Sequence, residues 1–267
     1  MSQLGSGPDG VRYEGVDSFE DTPVTVDRLF LAKQNAPRWL HLCHRITLLQ
    51  KTPIVGALPV RMWVDSGSEP YLVTPRPPKT LADVLRAGTP GPDAVVSWGQ
   101  QLAATLAGAH HIGIPHGSLM PATVALGGSD VALDLYGAVT FQPWLLSDLD
   151  RSCLPPEGEE WTLEGDVYAL GALLVALRTG KPVTSDVDDH GTPTQQFSTQ
   201  RIEVLIGEML DPVPEQRPTM GDVVERLART ADAGAPASGS TPNASGSQDG
   251  AVSSDANTAV FLILFMP

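Results

Sequence analysis

Two different periodicities divide the chain. Up to about residue 75 the apolar positions fall in short runs rich in β-branched side chains: Val11–Val16, Pro23–Leu29, Val60–Val64 and Tyr71–Val73. Runs of this length and composition predict strands. Between them, Arg38 to Leu49 predicts one helix. From about residue 80 the spacing becomes helical. Pro92 and Asp93 open a helix whose apolar positions, Val95, Trp98, Leu102 and Leu106, lie 3, 4 and 4 apart. Val167 to Leu177 is apolar on nearly every face and predicts a helix buried on all sides. Ile202, Leu205, Ile206, Met209 and Leu210 form one amphipathic stripe, and Val223, Val224 and Leu227 form another after Pro218. Four or five strands with one helix, followed by a helical body, predict a two-lobed α+β architecture.

The pattern stops near Ala231. Residues 232–258 are mostly Ala, Gly, Ser, Pro, Thr, Asn and Asp, with almost nothing to bury, and read as a disordered linker. The tail, 259–267, is apolar from Ala259 to Met266. Eight residues are too few to span a bilayer, which needs roughly 20. The tail is therefore either a truncated membrane segment or a sticky end, and both readings stand. Acidic side chains number 31 and basic ones 17, a net charge of −14 that argues against nucleic acid or an anionic membrane as the main partner. Cys43 and Cys153 are far apart and imply no disulfide framework, which fits a reducing compartment. The first residues lack a secretion-signal pattern. The expected location is cytoplasmic, or the cytoplasmic part of a membrane protein if the tail is a stump.

Several motifs then point one way. His116-Gly117-Ser118-Leu119-Met120-Pro121-Ala122-Thr123 resembles the catalytic loop of a protein kinase, H-R-D-L-x-x-x-N. Leu4-Gly5-Ser6-Gly7-Pro8-Asp9-Gly10 resembles the kinase glycine-rich phosphate loop, a weak signal alone. Pro155-Pro156-Glu157 resembles the A-P-E motif. Asp166-Val167-Tyr168-Ala169-Leu170-Gly171 resembles the start of the buried central helix, and Leu210-Asp211-Pro212 with Pro214-Glu215-Gln216-Arg217-Pro218-Thr219 resembles the signature near the end of the large lobe. On these residues the chain is similar to the bacterial Ser/Thr kinase type over about residues 4 to 231. The resemblance implies an N-lobe at 1–78 with a truncated first strand and a C-lobe at 79–231. It also implies that Glu157 pairs with Arg217, that Asp166 holds the loop backbone, and that His116 and Tyr136 stack between the lobes.

The same alignment shows what is missing. Phosphoryl transfer needs a lysine on the phosphates, two magnesium ligands and a base. The lysine position holds Asp27, which would repel phosphate. The position of its helix partner, a glutamate, holds Leu42, with a slip of one turn open. Ser118 replaces the catalytic aspartate, Thr123 the magnesium-binding asparagine, and Leu135 (in Leu135-Tyr136-Gly137) the D-F-G aspartate. Asp134 lies one residue early, and a one-residue shift along a strand points its side chain to the opposite face. The adenine pocket is altered too. Arg12 stands where a valine packs on the base, Thr25 where an alanine stands, and Pro75 and Pro77 lie in the hinge, where proline offers no N–H.

The resemblance with these losses implies a pseudokinase: a regulatory or scaffold module that binds another protein. The partner would be an active kinase, a phosphopeptide-reading domain or a membrane-linked complex. No cofactor and no metal are expected, the glycines Gly5, Gly7 and Gly10 being vestigial. The alternative is a degenerate kinase with weak transfer, using that loop and Asp134. His110, His111 and His116 lack a convincing fourth ligand for a metal. Cys153 reads as a buried small residue. Thr241 and Thr258 are candidate phosphoacceptors.

Overall fold

The strand-forming runs at the start of the chain pair into one antiparallel sheet. The computed structural model describes residues 2–7, 10–30, 36–65, 70–136, 146–158, 162–183 and 197–232, excepting the side chains of 36–38, 197–200 and 231–232. Strands β1 (Ser2–Gly7), β2 (Gly10–Asp17), β3 (Thr22–Leu29), β4 (Met62–Val64) and β5 (Tyr71–Pro75) are arranged in the order β1-β2-β3-β5-β4. Helix α1 (Ala36–Lys51) joins β3 to β4. The glycine-rich segment is thus largely strand: Gly5 and Gly7 lie in β1, paired with Arg12 and Gly10. Gly10 is required by close approach, because a Cβ there would lie 2.3 Å from the Arg28 carbonyl oxygen on β3. Pro8 and Asp9 lie outside the described residues, as do Gly137, Thr241, Thr258, all but the first residue of the linker, and the apolar tail.

A helical body follows. It contains β6 (Lys79–Thr80), α2 (Leu81–Ala87), α3 (Pro92–His111), the hairpin β7 (Val124–Gly127) and β8 (Asp130–Leu133), α4 (Asp148–Ser152), α5 (Leu163–Thr179), α6 (Phe197–Met209) and α7 (Met220–Asp232). The last helix runs through Asp232, one residue past the predicted boundary. The fold is α+β, with the sheet and the body both inside one compact unit, Met1–Gly234. Among the described residues no helix is long and apolar enough to cross a membrane.

Local chemistry sets the helix ends. Proline in the first turn starts α3, where a missing N–H costs nothing. Thr162 caps α5 by accepting from the Gly165 N–H at 2.9 Å, and Gly180 closes it at φ +68°. Helix α5 forms the centre of the core, with Leu170, Leu173, Leu174 and Leu177 fully buried. Each such leucine stabilises by roughly 1.5–3 kcal/mol relative to exposure. The same core cluster holds Leu102 and Leu106 of α3, Leu205 and Met209 of α6, and Leu227 of α7. The small hairpin, flanking Gly127-Gly128, is tied to α3 by the Trp98 indole N–H donating to the Ser129 carbonyl at 3.0 Å.

The segment after α1 belongs structurally to the body. Leu58 N–H donates to the Leu133 carbonyl and Leu133 N–H to the Gly56 carbonyl, both at 2.8 Å. Gly56 has φ +83°, and a Cβ there would meet Thr105 Oγ1 at 2.1 Å. That hydroxyl donates within reach of the carbonyls of Val55, at 3.1 Å, and Gln101, at 2.9 Å. Gly56→Ala combines backbone strain with overpacking, so it should destabilise the fold by about 2–5 kcal/mol. Denaturant unfolding should show a lower midpoint with an unchanged slope.

Candidate functional site

Strand register brings the first site residues together. Arg12 on β2 and Asp27 on β3 are direct cross-strand partners, so their side chains leave the same face of the sheet. Asp27 is only 1% exposed. Arg12 Nε donates to Asp27 Oδ1 at 2.6 Å and Nη2 to Oδ2 at 2.7 Å, a two-pronged pair whose shape suits guanidinium and carboxylate. The same Nη2 donates to Asp134 Oδ2 at 3.0 Å. One guanidinium thus contacts two carboxylates. Burial works against the charge on Arg12, but the attraction and hydrogen bonds of Asp27, then of Asp134, outweigh it and raise its pKa. Burial pushes the Asp27 carboxyl up, with Arg12 pulling it back.

The orientation of Asp134 differs from the sequence expectation. Strand β8 ends at Leu133, so residues 134–136 form a turn and the two-fold alternation of a strand no longer applies. Asp134 faces Arg12, and its Oδ1 accepts from the Tyr136 N–H at 3.1 Å. Leu135, at the position compared with a magnesium-binding aspartate, is fully buried in the core. Tyr136 is buried as well; its hydroxyl donates to the Leu58 carbonyl at 2.8 Å, and burial pushes its pKa up.

The connector from β5 to β6 has few backbone donors. Pro75, Pro77 and Pro78 have no N–H, and the Arg76 N–H donates to the Pro23 carbonyl at 3.0 Å. The Arg76 guanidinium pairs with Glu14 of β2. Thr25, buried, is paired with Thr74 in the β3–β5 register.

On the body side, the His116–Thr123 loop is held by a buried carboxylate. Asp166, in the first turn of α5 and 1% exposed, accepts from the His116 N–H at 2.6 Å and the Gly117 N–H at 2.8 Å. His110 Nε2 lies 2.8 Å from the same carboxylate. Gly117 adopts φ +75°, which lets the chain reverse there. His116 is buried; its Nδ1 accepts from the Ser118 N–H at 3.2 Å, and burial lowers its pKa. Thr123 closes the loop locally: its hydroxyl accepts from the Met120 N–H at 3.1 Å and lies within donor reach of the carbonyls of Ser118, at 2.9 Å, and Met120, at 3.0 Å. Asp150 supports the other side, accepting from the Ala122 N–H at 3.2 Å.

Arg45 is a site residue that sequence reasoning missed. It lies one turn beyond Leu42 on α1, is 2% exposed, and donates from Nη2 to the Pro115 carbonyl. Burial pushes its pKa down to about 10, with Asp166 and Asp134 opposing. Its signal was a lone arginine in the apolar stripe Leu42, Ile46 and Leu49. Leu42 itself packs in the core.

Glu157 and Arg217 form a second two-pronged pair, at 2.6 and 2.8 Å. The buried guanidinium also donates to the carbonyls of Asp211, at 2.8 Å, and Glu164, at 3.0 Å, and sits 5.0 Å over the Tyr168 ring. Cys153 is buried, and burial pushes its thiol up. Among the described residues no group of three or more His, Cys, Asp or Glu side chains could hold a metal ion.

Hydrogen bonds from Arg217 hold the Glu157 pKa below its ordinary value of 4.5. A depressed acid contributes stability that is complete above that value and lost as pH falls through the folded pKa. Glu157→Ala strands a buried guanidinium, so it should cost about 3–5 kcal/mol at pH 7. Unfolding measured from pH 7 down to pH 3 should show the gap between variant and wild type narrowing on the acid side.

No protein-family profile matches the chain, and no curated protein matches it.

Proposed function

We propose that the chain is a protein kinase-like, two-lobed module that has lost phosphoryl transfer and acts by binding another protein. The observation that carries this reading is the Arg12 guanidinium held between Asp27 and Asp134. On the kinase comparison, Asp27 occupies the position of the phosphate-gripping lysine. A carboxylate at that position repels phosphate, and the guanidinium beside it already donates to Asp27 and Asp134. On the same resemblance, the other positions support this reading. The base position is Ser118, the two magnesium-ligand positions are Thr123 and Leu135, and the Thr123 hydroxyl closes its own loop. The segment that would meet an adenine ring has Pro75 at the end of β5 and Pro77 and Pro78 after it, and its Arg76 N–H is already bonded. The competing reading, weak transfer, needs Asp134 to hold magnesium. Its Oδ2 accepts from Arg12 and its Oδ1 from the Tyr136 N–H.

What remains is a scaffold of satisfied internal contacts, Asp166 with the loop and Glu157 with Arg217. That supports a role exercised through the surface, with another protein as partner: an active kinase, a phosphopeptide-reading domain or a membrane-linked complex.

The test is thermal unfolding with and without magnesium-ATP. A ligand at 100 times its dissociation constant would stabilise by about 2.7 kcal/mol. That would raise the melting temperature by several degrees, since each kcal/mol shifts a domain of this size by about 2–4 °C. The expected result is no shift. A magnesium-dependent rise would remove the reading and restore weak transfer.

A further inference from the structure

The Arg12 cluster does more than alter the charge of the cleft. Two of its members, Arg12 and Asp27, belong to the sheet; the third, Asp134, belongs to the turn after β8, 122 residues along the chain from Arg12. Each end is fixed before they meet. The two bonds to Asp27 set the orientation of the guanidinium, leaving Nη2 directed at Asp134. On the body side, Asp134 is oriented by the Tyr136 N–H, and Tyr136 is anchored through its hydroxyl to the Leu58 carbonyl. Leu58 is in turn bonded to Leu133 at the end of β8. Arg12 and Asp134 are 15% and 14% exposed, so water screens this contact poorly.

We infer that Arg12 is a ligand-independent clamp, which holds the sheet closed on the helical body by bridging Asp27 and Asp134. The guanidinium spans two carboxylates from two parts of the fold, so closure needs no bound nucleotide or metal ion. The closed arrangement is the resting state, and a partner that opens the molecule must separate Arg12 from Asp134. The inference rests on the reading of this cleft as one that does not take nucleotide. A second joint supports it, because Arg45 of α1 donates to the Pro115 carbonyl next to the His116 loop.

Hydrogen exchange read by mass spectrometry tests the clamp in the full chain. Asp134→Ala breaks the bond between the two parts and leaves Arg12 and Asp27 paired and neutral. Arg12→Met combined with Asp27→Leu removes the sheet's charges together and keeps Asp134 on the Tyr136 N–H. In both variants the amides of β2 and β3 should exchange about tenfold faster, the factor expected from losing one charge-assisted hydrogen bond, while those of α3 and α5 keep their rates. Wild-type rates in β2 and β3 of either variant would overturn the clamp, as would acceleration spread equally over α3 and α5. A magnesium-ATP shift in the wild type would overturn the functional reading separately, and leave the exchange result standing.

Discussion

A charge removed from water must be met by an opposite charge or by hydrogen bonds, and this constraint joins the distant parts of the chain. Asp27, Arg45, Asp150, Asp166 and Arg217 are all buried. Asp166 holds the backbone of a loop 50 residues earlier, Arg217 grips a glutamate 60 residues earlier, and Arg45 reaches a carbonyl 70 residues later. An uncompensated buried charge costs several kcal/mol, a large share of the total stability of a domain. The partners are therefore a condition of folding, and they decide which loops lie against which helices.

The same constraint accounts for the state of the candidate site. Asp27 is buried on a face where the strand register puts Arg12 opposite, so the two neutralise each other within the sheet. The same guanidinium also donates from Nη2 to Asp134. Thr123 is engaged in its own loop, Asp134 on Arg12 and Tyr136, and Leu135 in the core.

Most long elements were legible because period and burial agree. The stripe Val95, Trp98, Leu102 and Leu106 is buried along α3, and the all-apolar run from Val167 is the central helix α5. Several short elements were not. The hairpin of β7 and β8 has four residues on each side, α2 has seven and α4 only five, too few for a period to emerge. Strand β1 was hidden by its glycines, which suggest a loop, although Gly7 faces Gly10 in a regular pair. The misjudged direction of Asp134 came from extending strand alternation past the point where β8 stops.

What the sequence determined by itself was the inventory: where apolar faces repeat at helical spacing and where β-branched runs mark strands. These follow from local spacing and side-chain chemistry alone. Which ions meet was decided only by the tertiary structure. Asp134 lies 122 residues from Arg12, and Arg45 is one turn from the residue that alignment selected. Pairing depends on the direction in which a side chain leaves its turn or helix, and that direction is set by packing between elements far apart in the chain.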